Sequence, residues 1–227
     1  MARLLLEVIV QTVADAREAA RGGADRLEVV RAIRDGGLTP LVSLVRSIAR
    51  ETPLPLRVMV RENAGYATDA AELPVLRRAA AEFAAAGVDG LVIGFARAGK
   101  PALDDVGRVL DAAPKTPVTF HRAFDSLIDP LAAIDELTRV AQVDRILTSG
   151  GEATPAARCD RLRQYIARAN GRLEIVAGSG VDDFVVALFA REGCVREVHV
   201  GRAARVGGNA AAPVSAARVR RLRDLAN

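Results

Sequence analysis

The sequence predicts a single-domain α/β protein, residues 1–227, folded as a (β/α)8 barrel of the TIM type. Eight short apolar runs, rich in Val, Ile and Leu, recur about every 28 residues, and a segment of helical length rich in Ala, Leu and Arg follows each one. Short apolar strands that alternate with helices are typical of a parallel sheet covered by helices. Eight such units close most economically into a barrel, which commonly needs about 200–250 residues.

The first four strands are predicted at Leu4–Val10, Arg26–Val30, Leu56–Val60 and Gly90–Ile93. The second and fourth each begin just after a Gly-x-Asp segment, which ends in Asp25 and Asp89 respectively. Glycine ends a helix and aspartate begins a turn, so these segments mark the entry into a strand.

The last four strands are predicted at Pro117–Phe120, Asp144–Thr148, Leu173–Ala177 and Arg196–Val200. Each is followed directly by a His, Ser or Gly residue, as expected where a buried strand passes into a βα loop. The recurrence of an Asp before the second, fourth and sixth strands is consistent with a barrel assembled from repeated pairs of units.

A flavodoxin-like or Rossmann sheet is the alternative fold. It would use about five or six strands, and its dinucleotide-binding form would show GxGxxG after the first strand. After Val10 this chain reads Gln-Thr-Val-Ala-Asp, without a glycine, so we favour the barrel.

The charge composition does not indicate a nucleic-acid partner. The formal net charge is +4, and nearly all the cations are arginines, since Lys100 and Lys115 are the only lysines. These arginines are spread between alanines, as on solvated helix faces. A nucleic-acid surface would add aromatic side chains for stacking, whereas the chain has no Trp and two Tyr.

Neither a membrane partner nor a secretory signal is expected. The longest apolar runs, such as Phe184–Ala190, fall well short of the roughly 18 residues that span a bilayer, and no basic stretch followed by an apolar segment begins the chain. We therefore predict a cytoplasmic protein. The two cysteines, Cys159 and Cys194, are 35 residues apart. This spacing supports neither a disulfide framework nor a zinc ribbon, and we expect two small buried hydrophobic side chains.

Two glutamates interrupt apolar strands. Glu7 lies in the first predicted strand and Glu28 in the second. A buried carboxylate is unfavourable unless it is paired or hydrogen-bonded, so each either pairs with an arginine on a neighbouring strand or serves a pocket. Arg61, just past the third strand, is the nearest obvious cation. It would pair with the glutamates or bind an anionic substrate through two hydrogen bonds.

Both histidines of the chain lie at the carboxyl ends of predicted strands. His121 follows the fifth strand and His199 lies near the end of the eighth, and in a barrel these ends form the active-site mouth. Histidine transfers protons near neutral pH, although either residue could be a satisfied core histidine. Arg122 would add a cation beside His121. Asp125 would orient His121 or cap the next helix.

Glycine-bearing loops complete the predicted mouth. The loop after the sixth strand contains Ser149, and the loop after the seventh contains Gly178, Ser179 and Gly180. Such loops expose backbone N–H groups that bind anions, and barrel phosphate sites favour the loops after strands seven and eight. The glycines equally suit tight βα turns, so a phosphate or carboxylate subsite remains one of two interpretations.

Several segments of the chain, taken together and in order, resemble the CutC family. They are Leu6-Glu7, Gly22-Gly-Ala-Asp-Arg-Leu-Glu28, Gly36-Gly-Leu-Thr-Pro40, Val58-Met-Val-Arg61, Thr119-Phe-His-Arg-Ala-Phe-Asp125, Ile146-Leu-Thr-Ser-Gly150, Ala177-Gly-Ser-Gly-Val181 and Glu197-Val-His199. The resemblance runs from about Leu4 to about Arg202. It implies a TIM-type barrel that self-associates, most simply as a homodimer, and a cytoplasmic role in copper homeostasis with copper as the implied ligand. It implies no settled catalytic activity.

The donor chemistry leaves two hypotheses for the site. Cu(I) prefers thiolate and thioether ligands, but Ile9, Val10 and Val30 stand where many members of the family carry cysteine. Metal binding would therefore use some cluster of the four predicted mouth residues, whose imidazoles and carboxylates suit Cu(II), Zn or Mn. These are Glu7, Glu28, His121 and His199.

The alternative hypothesis is a barrel enzyme acting on a small anionic metabolite. Arg61 and Arg122 would bind the substrate, one of the two histidines would move a proton, and one of the two glutamates would assist it. Any effect on copper would then be indirect.

Overall fold

The computed structural model describes residues 3–151 and 154–227, and shows a closed parallel barrel inside a ring of eight helices. The barrel strands are β1 (Leu5–Val10), β2 (Arg26–Val29), β3 (Leu56–Met59), β4 (Gly90–Ile93), β5 (Val118–Phe120), β6 (Val143–Thr148), β7 (Glu174–Ala177) and β8 (Glu197–Val200). The helices are α1 (Val13–Gly22), α2 (Val42–Glu51), α3 (Glu72–Ala85), α4 (Leu103–Leu110), α5 (Pro130–Leu137), α6 (Pro155–Ala169), α7 (Asp183–Glu192) and α8 (Ala216–Leu225).

Each strand pairs in parallel with the next along the chain, and β8 pairs with β1 to close the barrel. The predicted fold class is confirmed, and all eight predicted strands occur with boundaries within one residue of those predicted. A short antiparallel hairpin, Ala96–Arg97 with Lys100–Pro101, lies in the loop between β4 and α4. The sequence analysis missed it because two-residue strands carry no periodic signal.

Helix ends follow ordinary capping chemistry. Thr12, Asp129, Thr154 and Asp182 each accept a hydrogen bond from the backbone N–H three residues further on, as N-cap residues do. Gly23 ends α1 in the left-handed conformation, with φ of 90°.

A connected series of buried and half-buried ion pairs crosses the barrel interior, where apolar side chains usually pack. Glu7 pairs with Arg26, which also contacts Glu197 at 2.5 Å. Glu197 contacts Arg145 at 3.1 Å. Arg145 also pairs with Asp144. The Asp144 carboxylate in turn lies 2.9 and 2.6 Å from the two terminal nitrogens of Arg57. The buried charges are thus neutralised by opposite charges on strands that are distant in sequence.

The expectation of two separate cysteines is wrong. Cys159 in α6 and Cys194, which follows α7, form a disulfide with 5.4 Å between their Cα atoms. Sequence spacing could not reveal it, because the tertiary packing of α6 against α7 brings together side chains that no local motif connects.

Within residues 3–151 and 154–227, no helix is both long enough and apolar enough to cross a membrane.

Candidate functional site

A cavity of about 800 Å³ opens at the carboxyl ends of the barrel strands. Its lining includes three of the four predicted mouth residues, Glu28, His121 and His199. Of the other predicted site residues, Arg61, Arg122, Ser179 and Gly180 also line it. The sequence-predicted pocket residues therefore largely meet in one place.

Glu7, His199 and Glu28 form a buried carboxylate–imidazole–carboxylate row on the adjacent strands β8, β1 and β2. Nδ1 of His199 lies 2.7 Å from Oε1 of Glu7, and Nε2 lies 3.5 Å from Oε2 of Glu28. Burial opposes protonation of His199, but Glu28 and Glu7 outweigh it and raise the pKa of the imidazole above its usual value. The two carboxyl groups therefore favour the protonated form of the imidazole between them.

The two carboxyl groups of this row differ in their electrostatic environment. Burial would raise the pKa of Glu7, but Arg26 and His199 hold it far below the usual range. Burial raises the pKa of Glu28 to about 7, since His199 only partly offsets it and Glu7 adds repulsion. Glu7 is thus a fixed anion, whereas Glu28 can gain or lose a proton near neutral pH.

Glu7 is held beneath the cavity rather than in its lining. Its carboxylate accepts a hydrogen bond from Arg26 and contacts Nδ1 of His199. The sequence analysis named Arg61 as the nearest cation, but the neighbouring-strand residue Arg26 pairs with Glu7. The reason is strand register, because Arg26 and Glu7 lie side by side on β2 and β1.

His121 is a buried residue of the cavity lining. Its Nδ1 accepts a hydrogen bond of 3.1 Å from the backbone N–H of Ala123, so in the neutral ring the proton is on Nε2. Nε2 is buried and, among the described residues, has no hydrogen-bond partner. Burial, assisted by the cations Arg61 and Arg122, lowers the pKa of His121 to about 3. The ring is therefore neutral at physiological pH.

Gly94 makes room for this imidazole. A Cβ atom at position 94 would lie 2.7 Å from Nδ1 of His121 and 3.3 Å from its backbone nitrogen. The first distance is shorter than real Cβ contacts, so glycine directly after β4 lets the ring occupy its place. The sequence analysis did not single out Gly94.

Arg61 is a buried cation held by backbone carbonyl groups. Its guanidinium donates to the carbonyl oxygens of Gly36, Ala64 and Gly65 and lies 5.0 Å from the centre of the Tyr66 ring. Burial lowers its pKa, with Arg122 acting in the same direction. In residues 3–151 and 154–227, no carboxylate forms an ion pair with Arg61.

Arg122 and Asp125 belong to the turn after β5. Arg122 is partly exposed and contacts Asp125 at 3.0 Å. Asp125 also accepts hydrogen bonds from the Thr148 hydroxyl at 2.6 Å and from the backbone N–H of Ser149. Asp125 therefore joins the loops after β5 and β6 and neither contacts His121 nor caps a helix through its side chain among the described hydrogen bonds.

Ser149 and Gly178 lie outside the cavity lining. The carbonyl oxygens of Ser149, Gly178 and Ser179 all accept hydrogen bonds from Arg158 of α6, at 2.6, 3.0 and 3.0 Å. A Cβ atom on Gly178 would lie 2.7 Å from Leu147. Arg158, which the sequence analysis missed, fixes the shape of these two loops. No local sequence pattern distinguishes this arginine from the others on α6.

Further arginines also line the cavity. Arg34 lies beyond β2, Arg202 beyond β8 and Arg218 in α8, and all three line the cavity together with Tyr66. Asp35 and Asp182 add carboxylates. Arg202 lies in the loop after the predicted eighth strand, where barrel phosphate sites are expected, whereas Arg218 lies in a helix that gives no sign of facing the mouth.

The donor atoms of the site do not match a copper-binding centre. In the described part of the chain, no group of three or more His, Cys, Asp or Glu side chains is arranged to hold a metal ion. The cysteines are joined to each other, which leaves Met59 as the sulfur ligand in the lining of the cavity. Cu(I) prefers several soft sulfur ligands, and the residues present do not supply them.

Fold and site together define a single (β/α)8 barrel with a polar, arginine-rich cavity at its carboxyl-terminal mouth. The family model of CutC matches residues 4–204. The chain belongs to the CutC family.

Curated relatives agree with this assignment. A CutC protein of Sinorhizobium medicae is 38% identical over 201 residues, which are 88% of this chain and 81% of that one. The human protein named copper homeostasis protein cutC homolog is 32% identical over 188 residues, 79% of this chain and 66% of that one.

The structure of CutC from Streptococcus agalactiae superposes with a TM-score of 0.80 at 22% identity, covering 86% of this chain and 97% of that one. The thiamine phosphate pyrophosphorylase of Pyrococcus furiosus shares the fold, with a TM-score of 0.64 at 17% identity and 98% and 95% coverage.

Proposed function

We propose that this CutC-family chain contributes to copper homeostasis indirectly, through a mouth cavity that binds a small anionic organic molecule and exchanges a proton with it. The observation that carries the proposal is Arg61, a buried guanidinium that lines the cavity and contacts backbone carbonyl groups in place of a carboxylate. A buried cation without a counterion is costly, and an anionic ligand would neutralise it.

The other charged groups of the cavity support an anion of small size. Besides Arg61, four arginines line the cavity, compared with three carboxylates. The arginines are Arg34, Arg122, Arg202 and Arg218, and the carboxylates are those of Glu28, Asp35 and Asp182. Arginine binds carboxylate and phosphate groups through paired hydrogen bonds. A volume of about 800 Å³ is in the range of small-molecule sites.

Glu28 and His199 support proton transfer. Both line the cavity, and Glu28 has a pKa raised to about 7 by burial. A group whose pKa lies near the working pH is present in both protonation states, which suits general acid–base catalysis.

Ligand binding is tested by the shift of the melting temperature with millimolar inorganic phosphate, pyruvate, 2-oxoglutarate and dihydroxyacetone phosphate. At least one anion should raise the melting temperature, because a ligand that binds only the folded state stabilises it. Arg61→Gln should abolish the shift. Arg21→Gln, on an exposed arginine at the end of α1 far from the mouth, should leave it unchanged. No shift with any of the four anions would contradict the proposal.

Direct metal binding is the competing function, and titration separates it. Purified protein is titrated with Cu(I), Cu(II) and Zn(II) beside a His121→Ala, His199→Ala double variant. We expect no stoichiometric complex, because Glu7 is already held by Arg26 and by Nδ1 of His199, and the described residues include no group of three or more His, Cys, Asp or Glu side chains arranged to hold a metal ion. Tight stoichiometric binding that the double variant loses would make metal binding the function.

We also propose that the protein acts in the cytoplasm as a homodimer, as the resemblance to CutC implies. Disulfides are uncommon in that compartment. Size-exclusion chromatography with light scattering first tests the homodimer. Thiol alkylation in freshly lysed cells then tests the cytoplasmic location. A monomer would contradict the first, and a fully oxidised Cys159–Cys194 pair in the lysate would count against the second.

A further inference from the structure

His121 carries a buried hydrogen-bond donor that has no acceptor among the described residues. His121 is 2% exposed, and its Nε2 has no partner among the described residues although every buried N–H normally finds one. Because Nδ1 already accepts from the backbone N–H of Ala123, the neutral ring must carry its proton on Nε2. The imidazole lines the cavity, and a bound ligand is therefore a candidate source of the missing acceptor.

A neutral imidazole N–H is chemically distinct from the cations around it. Arg61 and Arg122 bind full negative charge, whereas a neutral N–H donor polarises a carbonyl group and stabilises the oxyanion that forms from it. Burial and the two cations keep the ring of His121 uncharged, with a pKa of about 3. The donor therefore does not change its state across the physiological range.

A proton acceptor lines the same cavity. Glu28 projects from β2, and its carboxyl group faces Nε2 of His199 at 3.5 Å. In the described residues it forms no ion pair with an arginine, so its oxygens are less tightly held than those of Glu7. A carboxylate base and a neutral N–H donor in one cavity are the two groups that enolisation of a carbonyl compound requires.

We propose that this cavity transfers a proton from the carbon next to a carbonyl group of an anionic carbonyl compound, with Glu28 as the base and His121 as the donor to the carbonyl oxygen. This inference rests on the proposed function and names its substrate class: a small molecule that combines a carboxylate or phosphate with a ketone or aldehyde. Arg61 and its neighbours hold the anionic group.

The step balances without a co-reactant. The C–H bond next to the carbonyl breaks, and its proton moves to an oxygen of Glu28. The electron pair of that bond forms the C=C bond of the enolate, and the carbonyl π pair moves to the oxygen, which accepts a hydrogen bond from Nε2 of His121. Return of the proton to carbon restores the carbonyl compound, and a proton exchanged with solvent leaves a labelled product.

The first test concerns His121 alone. Protein labelled with ¹⁵N-histidine is studied by long-range ¹H–¹⁵N NMR between pH 5 and 8, with His121→Gln to assign the signals. We expect a neutral ring with the proton on Nε2 at every pH. A proton on Nδ1, or a ring that becomes charged in this range, would overturn the inference and leave the anion site intact.

The second test measures the chemistry. The protein is incubated in D₂O with pyruvate, 2-oxoglutarate or dihydroxyacetone phosphate, and loss of the C–H signal next to the carbonyl is followed by ¹H NMR. The parent protein should accelerate exchange of at least one probe. Glu28→Gln and His121→Leu should each slow it by about 100-fold or more, the size of a typical general acid–base contribution.

Matched variants separate chemistry from folding. Glu51→Gln alters an exposed glutamate on α2 and should exchange at the parent rate. His121→Gln retains an amide N–H donor and should exchange faster than His121→Leu if donation to the carbonyl matters. Melting curves show that each variant is folded.

The outcomes distinguish this inference from the function on which it rests. A probe that raises the melting temperature but shows no accelerated exchange overturns the enolisation and leaves anion binding standing. Exchange that persists in Glu28→Gln overturns the role of Glu28 as the base. If none of the anions binds, the proposed function fails, and the inference fails with it.

Discussion

Nδ1 of His199 lies 2.7 Å from Oε1 of Glu7, and both side chains are buried in the barrel. The other oxygen of the same carboxylate pairs with Arg26. One acidic side chain therefore neutralises an arginine below it and orients an imidazole above it, and so connects the ion pairs of the barrel interior to the cavity at the mouth.

Replacing Glu7 by Gln should strongly destabilise the protein. The substitution leaves Arg26 with one counterion fewer in a buried site, and breaking a buried pair costs about 3–5 kcal/mol. We expect the midpoint of urea unfolding to fall accordingly. Glu51→Gln, which breaks an exposed pair with Arg17, should have a much smaller effect, because solvent screens exposed pairs. Equal losses in the two variants would contradict this view of Glu7.

The pH dependence of stability should carry the signature of His121. Its pKa is about 3 in the folded protein and 6.5 in the unfolded chain, so folding favours the neutral ring. The stability that this group contributes is complete above pH 6.5 and is lost as the pH falls toward 3. Urea unfolding at pH 7, 6, 5 and 4 should show a steeper loss in the parent than in His121→Gln. Parallel curves would show that the ring titrates normally.

The alternation of apolar strands and helices was sufficient to predict the barrel, because each strand is buried on both faces and each helix covers it. It also placed Glu28, His121 and His199 together, since strand ends converge in a closed barrel. It could not pair Glu7 with Arg26, because that pairing depends on the register between β1 and β2, which only the closed barrel fixes.

Other parts of the site depend on contacts that no local pattern encodes. Arg158 and Arg218 approach the mouth loops or the cavity from helices, where arginine is common and usually solvated. In the sequence, Gly94 is one of several glycines that follow a strand, and its contact with the ring of His121 is visible only in the folded structure. The disulfide joins residues 35 positions apart, and their proximity comes from the packing of α6 against α7.

Reduction of the Cys159–Cys194 disulfide should lower stability without unfolding the barrel. A cross-link across 35 residues restricts the unfolded chain, and the chain-entropy relation gives about 3–4 kcal/mol for a loop of that length. Urea unfolding with and without dithiothreitol measures the difference. A Cys159→Ala, Cys194→Ala double variant should match the reduced parent and be insensitive to the reductant. An identical midpoint for oxidised and reduced parent would show that the bond does not form in solution.

Two glycine-to-alanine substitutions should have effects of opposite sign. In Gly94→Ala the new methyl group would lie 2.7 Å from Nδ1 of His121, so the ring must shift, and overpacking of this kind costs about 1–3 kcal/mol. In Gly107→Ala, within α4, nothing lies within 4 Å of the new methyl group, and alanine should stabilise the helix by about 0.5–1 kcal/mol. Urea unfolding measures both, and the thermal shift with the anion that binds the parent shows whether displacing the ring also weakens the site. A Gly94→Ala protein with parental stability and parental anion binding would mean that the imidazole does not pack against Gly94.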